Sequence, residues 1–188
     1  MAAGWHRRWR HPKPRDTELT AALDRARRGR ETGFVSVYRQ LHPGLLGYLT
    51  AQLGDDTAAA EAADAVWRTI AHEVFSFQGD GTDLRVWAAS LAHRQVHDQH
   101  RRPGHAGVGA GGSADFRRVV SALPPDLADA LLLRMVVGLD EAGAARVLGA
   151  SAPSVEAAAH SAARLVADCL ASGPAPGAPR TEWACAWC

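Results

Sequence analysis

Residues 123–165 read LPPDLADALLLRMVVGLDEAGAARVLGASAPSVEAAAHSAARL. Leu123-Pro124-Pro125 opens a helix that carries Leu127, Leu131 and Met135 on one face, and Gly138 stops it. Asp140 stands where a capping carboxylate is wanted, before a short helix through Ala145 and Leu148. Gly149 then permits a sharp turn. Ser151 caps a last helix whose single face holds Val155, Ala158, Ala159, Ala162, Leu165, Val166 and Cys169. Two short helices, a tight glycine turn and a small residue, Ala145, at their crossing make a helix-turn-helix pattern. An ordinary small helical bundle gives the same periodicity, and on this stretch alone both readings stand.

Working outward, residues 103–113 read PGHAGVGAGGS. So many glycines lose too much backbone entropy to order as helix or strand, so the stretch reads as a flexible linker. A similar stretch, SGPAPGAPR, closes the module at residues 172–180. Before the linker the chain is helical by periodicity. Phe34, Val37, Tyr38, Leu41, Leu45, Tyr48, Leu49 and Leu53 follow the three-four spacing of one face, with Pro43 expected to bend or interrupt that helix. Ala63, Val66, Trp67, Ile70, Ala71 and Val74 form a second face, and Leu84, Trp87, Ala88, Leu91 and Ala92 a third. A short helix around Leu19, Ala22, Leu23 and Ala26 precedes them. No segment alternates with period two. The expected fold is all-α, with two small helical domains joined by a flexible linker. The expected boundaries are a basic arm at 1–15, a first domain at 16–102, the linker at 103–114, a second domain at 115–171 and a tail at 172–188.

Composition narrows the functions. The 188 residues hold 21 basic and 20 acidic side chains, for a net charge of +1, so the whole chain is not a polycation that binds nucleic acid by bulk charge. No stretch approaches the ~18 consecutive apolar residues of a membrane span, so no membrane insertion is expected. The basic start lacks the apolar run of a secretory signal. Three cysteines, Cys169, Cys185 and Cys188, exclude a disulfide scaffold and fit a cytoplasmic location. The charge is uneven: residues 1–15 carry +5, whereas residues 123–171 carry −3.

Taken in order, these segments resemble an extracytoplasmic-function sigma factor, the two-domain minimal sigma subunit of bacterial RNA polymerase. FVSVYRQLHPGLLGYLTAQLGD (34–55) is similar to the family's opening helix pair, and EAADAVWRTIAHEVFSFQGD (61–80) to its polymerase-binding helix and following loop. RVWAASLAHRQVHDQHRR (85–102) resembles the helix that meets the melted promoter, with the Trp87, Ala92, Asp98 and Arg101 spacing as the strongest match. Residues 123–165 resemble the carboxy-terminal helix-turn-helix domain. The resemblance implies that the first domain is sigma-two-like, docks on the polymerase clamp and captures the melted minus-ten strand. The second, sigma-four-like, would meet the duplex upstream element. It implies core RNA polymerase, promoter DNA and an anti-sigma factor as partners, and no covalent chemistry, cofactor or small-molecule substrate.

The residues fit these roles to different degrees. Glu61 and Asp64 share one helix face, with Trp67 and Arg68 a turn later. Such an acidic and aromatic patch suits a basic helical partner, although Trp67 also reads as core. Arg85, Arg94, Arg101 and Arg102 bracket Trp87, placing cations near a ring able to stack on bases, as single-strand capture requires. The loop from Phe77 through Asp80 to Asp83 would form the pocket that selects a base. In the helix-turn-helix the exposed candidates are Ser151, Ser154, His160, Ser161 and Arg164. Basic residues expected near Glu156, Ala158 and Ser161 are absent, so recognition of the upstream duplex is expected to be weak or unusual.

A second reading is a sigma-like regulatory interaction protein that has lost promoter reading; a third is an ordinary helix-turn-helix repressor. His93, His97, Asp98 and His100 raise a metal phosphohydrolase. His93 and His97 sit at i and i+4, but no distant ligand set is apparent, so no metal site and no enzyme are expected. Trp5, Arg7, Arg8, Trp9 and Arg10 make a basic aromatic arm, and Cys185-Ala-Trp-Cys188 one terminal CxxC. Both read as tails.

Overall fold

The computed structural model describes residues 14–101 and 114–172. Residues 1–13 of the basic arm, residues 102–113 with Arg102 and most of the glycine-rich linker, and the CxxC tail lie outside the described residues. All regular structure among those described is helical, as the sequence predicts.

The first unit has four helices. α1 (Pro14–Arg27) turns its apolar face, Leu19, Ala22, Leu23 and Ala26, wholly inward. α2 (Glu31–Leu53) buries Val37, Leu41, Leu45, Tyr48, Leu49 and Leu53 and ends on Gly54 in the left-handed conformation. Asp55 caps α3 (Asp56–Glu73), accepting a hydrogen bond from the Ala58 amide at 2.7 Å. α3 buries Ala58, Ala59, Ala62 and Ala63, small side chains that bring it close to its neighbours, before Val66, Trp67 and Ile70. α4 (Gly81–His100) starts with a reciprocal box in which the Asp80 and Asp83 side chains each accept from the other's amide.

Pro43 neither ends nor interrupts α2, so of the two expected effects the interruption does not occur. Its ring removes one intrahelical hydrogen bond. The buried residues on both sides of it belong to one stripe and one core, so packing keeps the two halves in a single helix.

The second unit comprises α5 (Ala114–Ser121), α6 (Pro125–Leu132), α7 (Glu141–Leu148) and α8 (Ala152–Ser172). α6 runs into one π turn, Leu133–Val137, that stops at Gly138 with φ 80°. The extra residue in that turn shifts the register. Met135, expected on the buried face, is therefore 54% exposed, while Leu132, Leu133 and Val137 point inward. Asp140 caps α7 by accepting from the Gly143 amide at 2.7 Å. Gly149, at φ 64°, makes the turn, and Ser151 Oγ accepts from the Ser154 amide at 3.2 Å. The helix-turn-helix is therefore α7 and α8.

The two units pack against each other, and one apolar core runs through both. α4 lies against α7, and α2 against the π turn. Gly44 and Gly47 of α2 make room for Val136: a Cβ on Gly44 would stand 2.9 Å from the Val136 carbonyl oxygen.

Candidate functional site

Three surfaces gather the residues singled out from the sequence. The first lies between α2 and α3. Phe34, Tyr38, Glu61, Asp64, Trp67, Arg68 and Ala71 line one open groove of about 740 Å³. Trp67 is its floor. The ring is almost wholly buried, and its Nε1–H donates to His42 Nδ1 at 3.1 Å. Tyr38 packs on it at 4.6 Å between centroids, Phe34 meets it edge-on at 6.1 Å, and His42 stacks on Tyr38 at 4.5 Å. Glu61, Asp64 and Arg68 stand exposed along the rim. The helical spacing of the four predicted residues is thus realised on one wall, and Trp67 is buried there, as its core reading has it. The opposite wall, Phe34 and Tyr38, had been assigned to the core face of α2.

The second surface is the start of α4 and the loop before it. Phe77 and Trp87 stack with centroids 5.0 Å apart. Arg27 of α1 fixes this loop: Nη2 donates to the Phe77 and Gly79 carbonyls, at 2.7 Å each, and the guanidinium lies 5.8 Å from the Phe77 ring centre. Sequence reasoning missed Arg27, because its partners lie fifty residues away and leave no local spacing. Asp80 is exposed and spends one carboxylate oxygen capping α4. Arg85 is drawn to Asp16 at 3.2 Å, largely out of solvent, whereas Arg94 and Arg101 are exposed. Asp83 Oδ1 accepts from Arg146 of α7 at 3.0 Å, and that hydrogen bond holds the Asp83 carboxyl below its usual range.

The third surface is α8. Ser154, Ser161 and Arg164 are exposed, and Glu156 stands among them. His160 is half-buried, its Nδ1 3.0 Å from the Glu156 carbonyl oxygen, and Ser151 is occupied as the cap. α8 packs chiefly on α6 and α7, so its outer face is left to solvent.

Between the two units lies a polar cluster in which the His93 and His97 pair noted in the sequence meets Tyr48, Gln52 and Asp129, partners distant in the chain that the sequence reading did not find. Tyr48 Oη donates to Asp129 Oδ1 at 2.8 Å and sits 2.9 Å from His93 Nδ1. Gln52 Nε2 also donates to Asp129 Oδ1. His97 Nε2 is 3.0 Å from His93 Nε2. Burial pushes the Tyr48 hydroxyl pKa up, with the Asp129 charge adding to it. Burial likewise lowers the His93 pKa, opposed by Asp129.

Residues 113–165 match the family described as Sigma-70, region 4. The match spans the carboxy-terminal unit from α5 into α8. The chain is also similar in fold to CnrH, solved in complex with the cytosolic domain of CnrY. The TM-score is 0.64 and the identity 19%, over 85% of this chain and 100% of that one. No curated protein matches the chain. The likeness to CnrH is one of fold, and the family match falls on the carboxy-terminal unit, where the helix-turn-helix lies. No helix among the described residues is long and apolar enough to cross a membrane.

Proposed function

We propose that the protein is a sigma factor that joins core RNA polymerase and directs initiation at particular promoters. The observation that carries this reading is the coincidence of a region 4 match with a first unit whose candidate docking residues share one groove. In this reading the groove between α2 and α3 receives a basic helix of the polymerase clamp. Aromatic anchors at its floor would supply most of the binding energy, and the acidic rim would steer the encounter. The Phe77–Asp83 loop and Trp87 receive the melted strand, with Arg94 and Arg101 positioned for its phosphates. α8 faces the upstream duplex. An anti-sigma protein would cover the same surfaces; CnrH is bound to the cytosolic domain of CnrY.

A second reading is favoured by one observation. Residues 123–171 carry −3, and Glu156 stands on the outer face of α8, so phosphate attraction there is weak. That reading is a sigma-like interaction protein that binds polymerase or a regulator without reading the upstream element. Run-off transcription with purified core polymerase on promoters from the protein's own genome separates the two. Promoter-specific transcripts that require the protein support the first reading. Binding to core with no transcript supports the second.

A further inference from the structure

The cluster between the two units is also a set of metal ligands. His93 and His97 lie one turn apart on α4, and Asp129 reaches them from α6 of the other unit. Their ligand atoms all lie within 4.8 Å of one another. A tetrahedral ion with bonds of about 2.0–2.1 Å sets its ligands about 3.3 Å apart. The two imidazole Nε2 atoms, at 3.0 Å, are close to that spacing, and Asp129 offers the third ligand atom of the group.

The surroundings prepare each ligand. Because Tyr48 gives its proton to Asp129, His93 Nδ1 must be the donor to the Tyr48 oxygen. That leaves the lone pair of His93 on Nε2, facing His97. Metal-binding histidines are commonly held this way, with the second ring nitrogen tied by a hydrogen bond. The bonds from Tyr48 and Gln52 both fall on Asp129 Oδ1, which leaves Oδ2 for an ion. His97 is exposed, giving a path of entry and a side on which water can be the fourth ligand. Two imidazoles and one carboxylate suit an ion of the zinc type rather than calcium or magnesium, which favour all-oxygen shells.

We propose that His93, His97 and Asp129 bind a divalent ion of the zinc type, and that this ion ties α4 of the first unit to α6 of the second. The three ligands meet only while the units are docked. The ion therefore favours the docked arrangement by linkage: free ion at a hundred times its dissociation constant raises the docked-to-parted ratio about a hundredfold. The site stands apart from the sigma-factor reading, because it is measured without polymerase or DNA.

The test is a calorimetric titration of zinc chloride into the full chain, purified without a polyhistidine tag, beside Asp129→Asn and His97→Ala. One ion per chain is expected at this site, with binding at least tenfold weaker in each variant. His97 is exposed and outside the Tyr48–Asp129 pair, so its removal leaves the fold intact, which circular dichroism checks. Weakening by Asp129→Asn shows that the second unit supplies a ligand. Cobalt(II) in place of zinc separates this site from the tail cysteines, since thiolates add strong sulfur-to-metal absorption and imidazoles do not. Any of three results overturns the proposal: no binding below millimolar free zinc, binding that survives both substitutions, or a thiolate spectrum that accounts for all the bound metal.

Discussion

At the scale of single residues, exposure separates side chains that act outward from those that hold the fold. Asp64 stands exposed on the rim of the α2–α3 groove. Asp64→Lys is expected to leave the denaturation midpoint unchanged and to weaken binding to core polymerase about tenfold, or about 1.4 kcal/mol. The loss should come through slower association with an altered salt dependence, which surface plasmon resonance at two salt concentrations reads. Arg27 is the opposite case. Its guanidinium satisfies two loop carbonyls, and hydrogen bonds from a charged group contribute about 1.5–3 kcal/mol. Arg27→Ala is expected to destabilise the chain by about 2 kcal/mol and to speed amide exchange across residues 75–80. Arg27→Lys should rescue little, because an ammonium lacks the planar fork of donors. Unchanged exchange in that loop would show that Phe77 and Gly79 are held by something else.

Among elements, the helices were legible where their own residues dictate them. The caps at Asp140 and Ser151, the stop at Gly138 and the apolar face of α1 all follow from local chemistry, and all are present. The failures have a common cause. Pro43 and Met135 were read from local rules, but tertiary packing carries α2 through the proline, and a π turn rotates Met135 outward. Tyr48, Asp129 and Arg27 were invisible because their partners are far away in the chain. Pro43 gives a direct test. Pro43→Ala restores a donor to α2, where an interior proline costs about 3 kcal/mol relative to alanine. A rise in stability of about 1–3 kcal/mol in urea denaturation is expected, and a fall would mean that the ring fills space nothing else can. At the other end, Ser151→Ala should cost about 1 kcal/mol by uncapping α8, read from the same denaturation curves.

For the whole molecule, the decisive feature is the contact between its two units. Gly44 lies where a Cβ would press on the Val136 carbonyl, a backbone atom that no change of rotamer relieves. Alanine is the better helix former by about 1 kcal/mol, so within α2 alone Gly44→Ala would stabilise. It is expected instead to part the units, raising the radius of gyration in small-angle scattering while helical content stays constant. An unchanged radius would mean that the seam closes around the extra methyl.

That seam also sets a threshold of concentration. A partner that binds only the parted units sees an apparent dissociation constant equal to the intrinsic one divided by the open fraction. If docking is favoured by about 2.8 kcal/mol, roughly one molecule in a hundred is open, and the partner needs about a hundred times more protein for half-saturation. Two glycines facing one valine thereby help decide how abundant the chain must become before such binding begins.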